Sequence, residues 1–204
     1  VVQGWFGGSQ AGLALADVLF GEVNPSGKLP FTFPRRLEDN SAHALGEHPG
    51  TRDSVRYREG IFVGYRWHER QRIAPLFAFG HGLSYTTFDY ANVRADRKTL
   101  SRSGRIRVSV DVTNTGDRAG KEVVQLYIGD RESALPRPVK ELKGFSKVSL
   151  EPGETRTVSF EITPEALQYY DDAKGLWTAE EGIFDAWVGA ASDDIRGSVE
   201  FTLK

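Results

Sequence analysis

From Ile106 onward the chain alternates apolar and polar residues with the two-residue period of a β-strand. Ile106, Val108, Val110 and Val112 are separated by Arg107, Ser109 and Asp111, and Asn114-Thr115-Gly116 closes the run as a turn. Val124, Leu126 and Ile128 repeat the pattern. Val139, Leu142, Val148 and Leu150 lead into the turn Glu151-Pro152-Gly153-Glu154, and Val158, Phe160 and Ile162 follow. Phe184, Ala186 and Val188, then Val199, Phe201 and Leu203, complete the series. About seven short strands with turns between them over roughly 115 residues predict an all-β immunoglobulin-like sandwich.

The beginning of the chain reads differently. Val1 to Trp5 has the look of the end of a short buried strand, and Gly7, Gly8 and Ser9 lead from it into a helical pattern with Ser9 as the predicted N-cap. Leu13, Ala16, Val18, Leu19 and Phe20 recur at helical spacing until Gly21, which stops the helix before the turn Asn24-Pro25-Ser26-Gly27. In open α/β sheets ligands gather outside the carboxyl ends of the strands, where helix N-termini also point, so Trp5, Phe6, Ser9 and Gln10 mark the functional edge of this unit. One strand and one helix cannot cover both faces of a parallel sheet. The chain is therefore expected to open on the tail of an α/β domain whose other elements lie elsewhere. The stretch from Arg35 to Glu59 is charged and poor in bulky apolar residues, which predicts a long surface loop. The division that results is an α/β tail over residues 1–85 and a β-sandwich over residues 86–204.

Composition narrows the function classes. The chain has 204 residues, with 26 basic against 28 acidic side chains, and this near-balance holds on both sides of Tyr85. A nucleic-acid partner would call for a basic surface, and a membrane span for about 18 or more uninterrupted apolar residues; neither is present, so both are excluded as partners. The absence of cysteine removes disulfides, thiolate metal sites and cysteine nucleophiles, favours the fibronectin type III style of sandwich, and assigns no compartment. A chain that opens on Val1 and has no methionine is expected to be a piece of something longer.

The chemical motifs are mostly negative. Gly4, Gly7, Gly8 and Gly12 miss the dinucleotide register, and Gly116 to Lys121 is too short for a phosphate loop. His68-Glu69 lacks a second histidine one helical turn on, and His43 and His48 have no carboxylate at a ligand spacing, so neither a metal nor a cofactor is expected. Asp171-Asp172, Glu180-Glu181 and Asp193-Asp194 are adjacent pairs that point to opposite faces of a strand, which suits solvated turns and not the facing carboxylates of a glycosidase. Arg58, Glu59 and Arg66 form surface ion pairs or line a polar pocket. The aromatics Trp5, Phe6, Tyr57, Phe62, Tyr65, Trp67, Phe77 and Phe79 gather in the first 85 residues, and such rings can cover the apolar C–H faces of sugars. Phe77, Phe79 and Phe88 are assigned to core packing, whereas Trp5 and Trp67 lie beside a glycine turn and a polar loop.

In order along the chain, Ala14-Leu15-Ala16-Asp17-Val18-Leu19-Phe20-Gly21, Asn24-Pro25-Ser26-Gly27-Lys28-Leu29-Pro30, Thr32-Phe33-Pro34, Glu59-Gly60-Ile61-Phe62-Val63-Gly64-Tyr65-Arg66 and the run from Phe79 to Phe88 stand out. In the sandwich they are joined by Val112 to Gly116, Val123 to Tyr127 and Arg137 to Phe145. Together these stretches resemble the C-terminal portion of glycoside hydrolase family 3 enzymes of the β-glucosidase type. The resemblance implies a parent with a barrel, an α/β sandwich and a fibronectin type III-like domain, of which this chain carries the end of the second and the whole of the third. It also implies retaining, exo-acting hydrolysis of terminal β-D-glucosyl residues in a β-linked glucoside or oligosaccharide, with both catalytic carboxylates upstream and none here. The partner implied is that upstream part, and the loop before Trp67 could also reach a second subunit in a homo-oligomer. Around Trp5 the family pattern often runs Trp, aromatic, Pro, Gly, any residue, Glu, Gly; here Gly7, Gln10 and Ala11 replace the proline, glutamate and second glycine, and Gln10 supplies no carboxylate.

The substrate-binding candidates are thus Trp5, Ser9, Gln10, Tyr57, Arg58, Phe62 and Trp67, as the rim of a sugar pocket. An alternative from another class is a free-standing carbohydrate-binding or protein-interaction sandwich, which would show exposed aromatics in a row on one face. The sandwich aromatics Tyr127, Phe145, Phe160, Phe184 and Trp187 mostly lie in apolar-alternating runs and are expected to point inward. A third reading, compatible with the first, makes the sandwich a structural clamp.

Overall fold

The computed structural model describes residues 1–51 and 53–204. The alternating runs become strands at the positions their periodicity predicts. Strands β1 (Phe88–Ala95), β2 (Thr99–Leu100), β3 (Ile106–Asn114), β4 (Gly120–Asp130), β5 (Glu141–Leu150) and β6 (Thr155–Ile162) are followed by a small hairpin, β7 (Tyr169–Asp171) and β8 (Leu176–Thr178), and then by β9 (Gly182–Ala191) and β10 (Asp194–Leu203). One sheet has the order β1-β3-β6, and a five-stranded sheet packs against it in the order β2-β10-β9-β4-β5.

The register shows why these residues pair. On β3 and β6, Ile106 faces Ile162, Val108 faces Phe160 and Val110 faces Val158, so one face of this antiparallel pair is apolar until Val112 meets the exposed Arg156 at its end. That face meets Val124, Leu126, Phe184, Ala186, Val188 and Phe201 from the other sheet in a single core. The predicted turns form as well. At Glu151-Pro152-Gly153-Glu154 the Glu154 N–H returns to the Glu151 carbonyl at 2.9 Å, with Gly153 at a φ of +76° that favours glycine. At the β3–β4 turn Asn114 is fully buried.

Two expectations for the sandwich are corrected. Val139 lies outside β5 and is exposed, and Phe145, predicted to point inward, is 70% exposed. For Phe145 the cause is a register shift between β4 and β5: Leu126 faces Gly144 and Tyr127 faces Leu142, so Lys143 is an extra residue. Beyond this bulge the inward parity passes to Gly144, Ser146 and Val148, which leaves Phe145 outside.

Residues 1–85 are mostly irregular, with helices α1 (Ala11–Leu19), α2 (Ser41–Ala44) and α3 (Tyr65–Gln71), and a 3-10 turn at Leu37–Asp39. The predicted buried strand at Val1 to Trp5 does not form: the segment is exposed and unpaired, Trp5 turns into the left-handed region at a φ of +51°, and none of the described residues offers it a ladder partner. The helix forms where its pattern lies and ends at Gly21, whose φ is +82°. Its N-cap is Gln10 and not Ser9; the Ala11 N–H bonds back to the Gly8 carbonyl, so backbone replaces the side-chain cap. No residue of α1 is buried, and Leu13, Leu15 and Leu19 are exposed together with Val1, Phe6 and Phe20. The expected loop from Arg35 to Glu59 is partly structured by α2, which Asn40 caps through the Ala42 N–H at 3.1 Å.

The rest of this segment is tied down on the outer face of the five-stranded sheet. Leu29 and Phe33 exchange backbone hydrogen bonds with the stretch from Leu76 to His81. Asn24 accepts from the Tyr85 N–H and the Ser84 hydroxyl and donates to the Ala119 carbonyl at 2.9 Å. The Lys28 ammonium meets the buried Glu122 carboxylate at 3.1 Å, which also accepts from the Tyr90 hydroxyl. Gln125 and Tyr127 are buried beneath the segment, and Gln125 donates to the carbonyls of Gly80 and Ala190. Gly80 is fixed twice over, by a φ of +81° and because a Cβ there would collide with the Gln125 side chain. Strand β4 is therefore covered on both faces.

Candidate functional site

The seven candidate residues fall into two groups and one exception. At the foot of α1, Trp5 is half exposed and lies edge-on to Phe31, with ring centroids 5.3 Å apart. Phe31 continues to Phe33 at 4.7 Å, Phe33 to Phe77 at 6.1 Å, and Phe77 stacks on His81 at 5.4 Å. An aromatic file thus runs from the surface inward, with Trp5 as its outer member. Phe77 is half-buried within it, which fits its assignment to packing. Ser9 and Gln10 are exposed beside this file, and Gln10 makes no capping bond, so its amide is free to donate and accept.

The second group belongs to the loop before α3. The Gly60 N–H bonds back to the Tyr57 carbonyl at 3.2 Å, and Phe62 N–H to that of Glu59 at 3.1 Å, so successive turns carry Tyr57 outward, where it is 80% exposed. Arg58 is paired with Glu47 and donates to the Leu45 carbonyl at 2.7 Å, which ties the loop to the end of α2. Phe62 is half-buried under the Arg70 guanidinium, 3.8 Å from its ring centroid. Trp67 is the exception. It is 8% exposed, and its indole N–H donates to the Asp39 carbonyl at 3.2 Å, so this ring packs inside the segment and presents no open face. The sequence placed it on a polar loop because the helix that turns it inward was not expected there.

Helix α3 is the principal element the sequence reading missed. Its pattern, Tyr65-Arg66-Trp67-His68-Glu69-Arg70-Gln71, has only two apolar residues and no side-chain cap. Tertiary contacts hold it. The Tyr65 hydroxyl accepts from the Leu142 N–H at 2.9 Å, Arg66 pairs with Glu141 at 3.1 Å, and Glu69 pairs with Lys140. Three successive residues of the sandwich, Lys140 to Leu142, are thereby bound by one helix face. Burial pushes the Glu69 carboxyl above its usual range, and the bond and charge of Lys140 oppose that rise.

Four of the six residues in the acidic pairs hold structural contacts. Asp171, expected to be solvated, is buried and pairs with Lys174 at 2.7 Å; Asp172 is exposed; Glu180 accepts from the Ala134 N–H at 3.0 Å; Glu181 pairs with Arg102 and Asp194 with Arg196. Arg58 and Arg66 also form ion pairs. Among the described residues, no group of three or more metal-ligating side chains is present, and no helix is long and apolar enough to cross a membrane. The exposed aromatics of the sandwich are Phe145 on edge strand β5 and Tyr170 with Trp177 on the β7–β8 hairpin, which are on different sheets and make no row.

The architecture is a mostly irregular segment laid over the outer face of a fibronectin type III-like sandwich, with an apolar helix left uncovered. The comparisons agree. Residues 1–85 match the glycosyl hydrolase family 3 C-terminal domain and residues 122–192 the fibronectin type III-like domain, so the chain has the two-domain C-terminal makeup of glycosyl hydrolase family 3. It is 55% identical to beta-glucosidase BoGH3A of Bacteroides ovatus over 98% of this chain and 27% of that protein. It is 51% identical to thermostable beta-glucosidase B of Acetivibrio thermocellus over 96% of this chain and 26% of that one. A crystal structure of beta-glucosidase from Kluyveromyces marxianus in complex with glucose superposes with a TM-score of 0.88 at 43% identity, covering 98% of this chain and 24% of that one. The chain spans about a quarter of the length of the curated relatives it matches.

Proposed function

We propose that this chain is the supporting C-terminal part of a retaining, exo-acting β-glucosidase that hydrolyses terminal β-D-glucosyl residues, and that it contributes pocket rim and scaffold while both catalytic carboxylates reside upstream. The observation that carries this reading is the uncovered apolar surface of α1, which is a docking face for further α/β elements. The names of the relatives support the substrate class. The boundary between the two parts falls at residues 85 and 86, just ahead of β1. Trp5, Ser9, Gln10, Tyr57, Arg58 and Phe62 form the rim, with Trp5 and Tyr57 offering ring faces to the sugar and Gln10 a neutral hydrogen-bonding amide. Trp67 positions the loop from within.

The test is an aryl-β-glucoside hydrolysis assay on this chain alone and again together with its upstream part. No turnover is expected from the chain alone, and activity on combination. Turnover by the isolated chain would overturn the assignment. In the combined enzyme, Trp5→Ala and Tyr57→Ala are expected to lower kcat/KM by roughly fivefold or more, the loss of one aromatic contact each; unchanged kcat/KM in both would remove the rim.

A further inference from the structure

Helix α1 turns its leucines outward, so side-chain burial does little to hold it on this chain. Its C-terminal end is held by polar contacts instead. The last carbonyls of a helix have no partner within it, and here each finds one just beyond. The Ala16 carbonyl receives the Phe20 N–H at 2.8 Å, Asp17 the Val23 N–H at 3.0 Å and Val18 the Gly21 N–H at 3.1 Å. Two side chains from further along the chain then close on the same end. The Tyr85 hydroxyl donates to the Val18 carbonyl at 2.7 Å. The Arg118 guanidinium, from the turn between β3 and β4, donates to the Gly21 carbonyl.

The sign of the charge suits the place, because a helix C-terminus is partly negative and a guanidinium is always cationic. The two clamping residues also support each other, with the Arg118 guanidinium 5.6 Å from the Tyr85 ring centroid. Behind them, the Arg118 carbonyl accepts from the buried Asn114 amide at 2.8 Å. Direct contacts therefore run from the sandwich core through Asn114 and Arg118 to the last turn of α1. The sandwich closes its core among its own strands and does not depend on this clamp, whereas the helix has little else. We infer that Arg118 and Tyr85 are positioning residues, which set the angle at which α1 is presented to the upstream part, so that the sandwich governs assembly through its β3–β4 turn. The identity of the partner rests on the glucosidase reading; the clamp rests on this chain alone.

The test has two arms, both using Tyr85→Phe and Arg118→Met, which keep the ring and the aliphatic stem and remove the donors. In the chain alone, amide hydrogen exchange at Phe20, Gly21 and Val23 is expected to quicken roughly tenfold, with exchange in β3 and β4 unchanged. Arg118→Lys, which keeps the cation, should restore most of the protection. In the second arm, the activity that the upstream part regains on an aryl-β-glucoside is followed against chain concentration. The double variant is expected to need roughly tenfold more chain for half the effect, yet to reach the native plateau with the same KM. Native exchange at the end of α1 in both variants would overturn the inference. Protection lost throughout β3 and β4 would also overturn it, by assigning the pair to the stability of the sandwich itself. Activity from the native chain with unshifted half-saturation in the double variant would overturn this inference alone. No activity with the native chain at any concentration would overturn it together with the glucosidase reading.

Discussion

Asn114 shows how much a single buried amide can hold. Its side-chain oxygen accepts from the Thr86 hydroxyl at 2.7 Å and the Gly116 N–H at 3.1 Å, and its nitrogen donates to the carbonyls of Arg118 at 2.8 Å and Leu150 at 3.0 Å. Asn114→Ala would strand several of these groups away from water, and a loss of at least about 2 kcal/mol in urea denaturation is expected. Asp111 acts at the surface by other means. Bonds from the Thr157 hydroxyl, Arg94 and Asn92 lower its carboxyl from 3.8 to about 2. A depressed carboxyl lends stability that is complete above its unfolded value of 3.8 and is lost as pH falls through about 2. The stability gap between the native chain and Asp111→Asn should therefore be constant above pH 3.8 and shrink below it, with the Asp111 carboxyl resonance titrating near 2. The Asn-Thr-Gly turn was legible in the sequence. The four bonds of its asparagine were not, because Thr86 and Leu150 are distant in the chain.

At the scale of elements, strands were far easier to read than helices. Val108, Val110 and Val112 announce β3 because burial on one face imposes a two-residue period that no other element produces. Helix α3 carries no such signature; what fixes it is the Lys140–Leu142 stretch, some 70 residues away along the chain. Trp67 was misplaced for the same reason, and Phe145 because a one-residue bulge leaves no mark in an apolar count. Tyr65→Phe deletes one acceptor and leaves the Leu142 N–H without a partner in a half-buried position. It should cost about 1–3 kcal/mol in chemical denaturation. Phe184→Ala, in the middle of the core, should cost about 3–5 kcal/mol by the same measurement.

Across the whole molecule, the two parts differ in what they need. The sandwich closes its own core, whereas no residue of α1 is buried and its leucines are exposed. Replacing Leu13 and Leu19 with glutamate should therefore leave the melting temperature of this chain almost unchanged, while abolishing the activity regained with the upstream part; a lowered melting temperature would instead show that α1 packs on its own chain. The opening residues were read as one strand and one helix that cannot close a layer; the strand does not form, and what the structure bears out is the helix whose apolar residues stay exposed. The aromatics of the first 85 residues were legible as a set, but not which of them face outward, since that depends on turns and ion pairs formed after folding. The anchoring of residues 24–33 has one more consequence. Asn24, Lys28, Leu29 and Phe33 grip partners that all lie beyond residue 75. A protease cut after the exposed Arg56 would divide the backbone without separating the pieces, so the nicked protein should elute as a single species and fall into two fragments only in denaturant.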